Sequence, residues 1–155
     1  MGEALKKRLK QERFDSPAQE AMLNLIVAAA HVRDRVDRAL AAHGITNGQY
    51  NVLRILRGAH PGGYPRCDIA VRMLERAPDV TRLIDRLEAQ GLVERDRSPE
   101  DRRLSVTRIT PAGLELLGRL DPDVGAVAEY FAERVAPRDR RELSRICEGI
   151  YADEP

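Results

Sequence analysis

The chain has 155 residues, of which 43% are hydrophobic and 33% charged, with a formal net charge of +1. That length suits one ordinary domain with a real core, and the balance of apolar and charged residues excludes an integral membrane protein and argues against disorder. The longest uninterrupted apolar run, Leu25 to Ala30, is six residues, far short of the ~18 a membrane helix needs, and the basic, polar start has no secretory h-region, so a cytoplasmic protein is expected.

Two cysteines, Cys67 and Cys147, stand 80 positions apart and fit neither a metal-ligand spacing nor a disulfide framework. Of the 26 basic residues, 23 are arginine. Arginine's planar fork suits guanine edges and phosphates. A compositional bias that also raises Ala and depresses Lys would give the same excess. With a near-neutral chain, any case for nucleic-acid binding rests on where the arginines sit.

Residues Glu3 to Arg13 form a charged stretch that reads as a solvated helix or arm. Ser16-Pro17-Ala18-Gln19 is a capping box with Pro at the first helical position. Apolar residues then recur at Met22, Leu25, Ile26, Ala29, Val32, Val36 and Leu40, predicting a helix that Gly44 stops. At 1.5 Å per residue it would run roughly 40 Å, long enough to pack on something outside its own domain. Thr46-Asn47-Gly48-Gln49 is a second capping box. It opens a short helix with Tyr50, Leu53 and Leu56 on one face, ended by Gly58. His60 to Pro65 reads as a loop. A helix over about Arg66 to Leu74 buries Ile69, Ala70 and Met73. Pro78 opens the next, with Val80, Leu83, Ile84 and Leu87 inward and Gly91 as its stop. Leu92 to Arg97 and Leu104 to Ile109 are strand-like runs around the charged tip Ser98 to Arg103, a hairpin. Thr110-Pro111 caps a helix toward Leu120 that Pro122 and Gly125 interrupt, with helical character again from Val127 to Val135. A last helix from Arg138 to Tyr151 is expected to turn Leu143, Ile146, Cys147 and Ile150 inward.

Two short helices joined by a tight turn and followed at once by a hairpin make a winged helix-turn-helix. The expected fold is therefore mostly α with a small β-hairpin wing, flanked by N- and C-terminal helices. Reading DNA requires the second helix to be held by an apolar face and to present small, polar or cationic side chains outward. Asp79, Thr81, Arg82 and Arg86 fall on that outer face, Thr81 and Arg82 suited to base edges and Arg86 to a phosphate. Arg82 could equally pair with Asp79 or Asp85 on an ordinary solvated face. At the hairpin tip, Arg102 and Arg103 stand farthest from the core, with Asp101 placed to orient them. An arginine there can enter a narrow minor groove.

The run LVERDRSPEDRR…ITPAG, preceded by VTRLIDRLEAQG and TNGQYNVLRIL, resembles the MarR family of bacterial winged-helix regulators over about Ile45 to Leu117. The Asp-x-Arg signature at Asp101 and Arg103, followed by Thr110-Pro111-Ala112-Gly113, is its specific part. The resemblance implies recognition-helix contacts at Thr81, Arg82 and Arg86 and wing contacts at Arg102 and Arg103. It also implies a homodimer built from the first and last helices, and small aromatic or phenolic effectors that weaken DNA binding. One departure is the turn Glu75-Arg76-Ala77-Pro78-Asp79, where many members carry a hydroxyl-rich turn. Asp79 near a phosphate is repulsive, so it either accepts from a cytosine amino group or caps the helix.

The division expected is residues 1–44 for dimerisation, 45–110 for DNA and 111–155 for dimerisation. Two-fold symmetry then puts two recognition helices roughly 34–36 Å apart on a palindromic operator. His31, His43 and His60 lie on separate elements without ligand spacing, and no nucleophile triad or phosphate loop occurs, so no metal, cofactor or enzymatic activity is expected. His31 reads as a satisfied interface histidine, Cys147 as core, and Cys67, at a helix start, as small and half-buried rather than redox-active. The expected function is a DNA-binding regulator, a repressor released by an effector. The alternatives are a winged protein–protein module whose arginines meet an acidic partner, and an architectural binder indifferent to palindromes.

Overall fold

The computed structural model describes residues 2–75, 79–96 and 105–152. Seven helices and three strands follow in the order α1 (Glu3–Leu9), α2 (Pro17–Ala41), α3 (Asn47–Ala59), β1 (Tyr64–Pro65), α4 (Arg66–Arg72), α5 (Val80–Ala89), β2 (Val93–Asp96), β3 (Val106–Ile109), α6 (Pro111–Arg134) and α7 (Pro137–Tyr151) among the described residues. The core joins the middle of the chain to the end of α2 and the first half of α6: Leu40, Val52, Leu53, Leu56, Ile69, Ile84, Leu87, Leu117 and Leu120 are buried together.

Local signals place most helix ends. Thr46 and Gln49 form the full reciprocal capping box of α3. At α2 the box is only half made: Ser16 Oγ accepts from the Gln19 N–H at 3.1 Å, but the Gln19 side chain turns back to Asp15, accepting its N–H at 2.7 Å. Gly44 and Gly91 take φ of 74° and 70°, the left-handed turns that stop α2 and α5.

Four expectations need correction. Gly58 does not end α3, which continues to Ala59; the break comes at His60, whose position before Pro61 disfavours helix (ψ 137°). Within the expected loop, Tyr64 and Pro65 pair with Thr107 and Val106, so the wing is a three-stranded antiparallel sheet in the order β1-β3-β2 rather than a bare hairpin. Proline is tolerated because β1 is an edge strand. Glycine at 63 is required because a Cβ there would collide with the Thr107 carbonyl and come within 2.8 Å of Arg108 Cγ.

α6 runs unbroken through Pro122. The lost helical bond is offset on both sides: Arg57 of α3 holds Asp121 at 2.9 and 3.0 Å, and His43 holds Asp123 at 2.6 Å. Finally, α7 buries nothing within the chain: Leu143 and Cys147 are half-buried, while Ile146 is 47% and Ile150 63% exposed. Arg140 ties α7 to the end of α6, donating to the Val135 and Ala132 carbonyls at 2.7 and 2.6 Å. His31 meets Tyr130 Oη at 2.9 Å, joining α2 to α6.

Candidate nucleic-acid interface

The α4–turn–α5 unit is held from three sides. Val80, Ile84 and Leu87 sink the inner face of α5 into the core. Asn51 of α3, itself buried, accepts the Leu74 N–H at 2.8 Å and so fixes the chain leaving α4. Beyond it, Arg33 of α2 pairs with Glu75 at 2.7 Å. From the sheet side, Arg95 of β2 pairs with Asp85 and lies 3.6 Å from Glu88.

That clamp matters electrostatically. Asp85 shares the outward face of α5 with Thr81, Arg82 and Arg86, and unpaired it would repel a phosphate. The sequence reading did not single out Arg95. The spacing of Asp85 and Glu88 is equally consistent with pairs inside the helix, and only the sheet brings position 95 beside them.

Asp79, Thr81 and Arg82 stand at the start of α5 and Arg86 in its last turn, with Thr81, Arg82 and Arg86 all exposed. Asp79 is the N-cap: its Oδ1 accepts the Arg82 N–H at 3.0 Å and its Oδ2 lies 2.9 Å from Arg82 Nε. Of the two roles open to it in the sequence, the structure displays the cap. The Arg82 side chain is nevertheless 78% exposed, and an ion pair so open to water is worth at most about 1 kcal/mol. Arg86 is exposed with no carboxylate partner among the described residues. Thr81 lines a cleft of about 370 Å³ with Arg66, Cys67 and Arg95, adding to this face a cation, Arg66 at the start of α4, that the sequence reading also passed over. Cys67 is exposed rather than half-buried, and Cys147 is half-buried rather than part of the core. Asp101, Arg102 and Arg103, the expected wing contacts, lie outside the described residues.

Among the described residues no group of three His, Cys, Asp or Glu side chains is placed to hold a metal ion, and no helix is long and apolar enough to cross a membrane. Through Thr81, Arg82, Arg86 and Arg66 the face offers hydrogen-bond donors and positive charge, a surface chemistry suited to phosphates and base edges.

A MarR family model matches residues 45–105. The HTH-type transcriptional regulator MhqR of Bacillus subtilis is 32% identical over 61% of this chain and 64% of its own length, so the match spans just under two thirds of that relative. Among solved structures, a MarR transcription factor from Planctomyces limnophilus is 40% identical, with a TM-score of 0.69 over 88% of this chain and 98% of that one. BpsR of Bordetella bronchiseptica, whose structure concerns regulation of its DNA binding by 6-hydroxynicotinic acid, shares the fold at 21% identity, with a TM-score of 0.76 over 93% of this chain and 100% of that one.

Proposed function

Because the chain belongs to the MarR family, whose members are transcriptional regulators and not enzymes, we propose that it binds a palindromic DNA operator as a homodimer, represses transcription there and is released by a small aromatic or phenolic effector. The observation that carries DNA binding is the outward face of α5. Thr81, Arg82 and Arg86 are exposed on a helix whose inner side is buried, and of the acids beside them Asp85 is taken up by Arg95 and Asp79 by the helix N-terminus and Arg82. Asp79 orients Arg82 before contact, and the weak pair yields when Arg82 turns to a guanine. Residues 45–110 thus serve as the reading unit, with Arg102 and Arg103 as its wing contacts and Asp101 orienting them.

Dimerisation through residues 1–44 and 111–155 is supported by apolar side chains that one chain leaves in water: Met22 (54% exposed), Ile26 (56%), Ile150 (63%) and Tyr151 (58%). A two-fold pair presents two copies of the arginine face, so counterion release contributes to affinity despite the near-zero net charge. Control by an effector has a precedent in BpsR, a protein of the same fold whose DNA binding is regulated by 6-hydroxynicotinic acid.

Selection from a randomised duplex library tests the reading. The expected winners are palindromes with half-sites about one helical turn apart. On such a winner Arg82→Ala costs about 1–3 kcal/mol and relaxes preference at one base pair per half-site. Enrichment without palindromes, no enrichment at all, or an equal loss by Arg82→Ala on selected and random DNA refutes it. A purely protein-binding module gives the second of these results, an architectural binder the first.

A further inference from the structure

The cleft of about 370 Å³ beside Thr81 has buried Ile84 and Thr107 as its floor and is bounded by Arg66 of α4, Arg95 of β2 and Ser105, which precedes β3. The acids around it are already matched. Arg95 pairs with Asp85, and Arg72 stands 3.9 Å from Asp68, whose carboxylate also accepts from Cys67 Sγ at 3.7 Å.

Two groups in the cleft are left over. Arg66 is exposed and has no carboxylate partner among the described residues. Ser105 Oγ is shut off from water without a hydrogen-bond partner, the one side-chain oxygen or nitrogen in that state among the described residues. Such a hydroxyl destabilises the fold that carries it, and native proteins leave few of them. An idle cation and an idle hydroxyl lining one cleft, with no free carboxylate to repel an anion, suit the oxygens of a phosphate.

We infer that this cleft seats one backbone phosphate of bound DNA, with Arg66 donating to it and Ser105, after a change of χ1 rotamer, donating its hydroxyl. The inference rests on the DNA-binding reading and deepens it. Thr81 belongs both to this cleft and to the face proposed to read bases. A phosphate fixed here therefore sets the register of α5 in the groove without itself reading sequence. That continuity with the reading face favours the DNA backbone over a free phosphate ion, whose chemistry is the same.

The full-length protein and duplexes from the library selection test the seat. Arg66→Gln should weaken binding roughly tenfold, equally on selected and random DNA, and reduce the salt slope of log K by about 0.9 per subunit. Ser105→Ala should weaken binding about threefold and leave that slope unchanged, with Tm at or above wild type because the hydroxyl it removes is unpaired. A scan of single methylphosphonates should find one position in each half-site at which wild type and Arg66→Gln bind alike. Cys67, exposed in the same cleft, should be shielded from iodoacetamide by the bound duplex.

Wild-type affinity in Arg66→Gln, a loss confined to the selected sequence, a fall in Tm for Ser105→Ala, no such methylphosphonate position, or undiminished alkylation of Cys67 in the complex each overturn the inference. Amide shifts at Arg66 and Ser105 on adding inorganic phosphate, with DNA binding unaltered in both variants, would assign the cleft to a free ion and overturn it too. A wild-type protein that binds no duplex removes the DNA-binding reading and the inference together, whereas wild-type binding with any of these failures removes the inference alone.

Discussion

Alanine substitutions at Gly113 and Gly118, five residues apart on α6, should move stability in opposite directions. At Gly113, buried at the N-terminal turn, a Cβ would collide with the Leu92 carbonyl oxygen and stand 2.7 Å from Ile109 Cγ1, where ordinary contact begins at 3.4 Å. Neither obstacle yields cheaply. The Leu92 carbonyl accepts the Thr110 N–H at 3.1 Å, and Ile109 is a buried strand residue. Overpacking of this kind costs about 1–3 kcal/mol, from which the helix preference of Ala over Gly returns about 1 kcal/mol. The net is a loss of up to about 2 kcal/mol, which for a chain of this size lowers Tm by up to about 8 °C. At Gly118, exposed with nothing within 4 Å of the added carbon, only the preference remains, so Tm should rise by about 1–4 °C. Far-ultraviolet circular dichroism melts give both values, at matched protein concentration because a dimer's Tm depends on it. A Gly113→Ala melt at or above wild type, or shifts of the same sign, would refute the close docking of α6 on the sheet.

Thr46→Ala removes the side-chain acceptor of the α3 capping box and should lower stability by about 1 kcal/mol in urea unfolding; no change would mean that the box contributes nothing. Arg95→Ala should weaken operator binding by exposing the Asp85 charge on the reading face, and adding Asp85→Asn should recover part of the loss. Additive losses in that double-mutant cycle would show the clamp has no bearing on DNA. Ile146→Asp combined with Ile150→Asp should convert the dimer to a monomer in sedimentation equilibrium without unfolding it, both side chains being exposed in the single chain. An unchanged dimer mass removes α7 from the proposed interface.

The elements most legible in the sequence are those whose causes lie within a few residues. Thr46 and Gln49 announce the start of α3, Gly44 and Gly91 the ends of α2 and α5, and the spacing of Val80, Ile84 and Leu87 shows which side of α5 is inward. Thr81, Arg82 and Arg86 follow as outward residues by helical geometry alone. Where the deciding partner is distant in the chain, the reading failed or stayed open. Pro122 looks like a helix break until Arg57 of α3 and His43 of the turn after α2 arrive to hold Asp121 and Asp123. Tyr64 and Pro65 look like loop until β3 is beside them. Asp85 looks like a partner for Arg82 until Arg95 of β2 is beside it.

Turn chemistry and helical periodicity act over one or two turns, so the order of helices, the inward face of α5 and its exposed arginines belong to the sequence. Ion pairs, edge-strand pairing and the exposure of α7 depend on segments brought together only by packing. Those contacts are a property of the tertiary structure, which alone settles which charges on the outer face of α5 are paired.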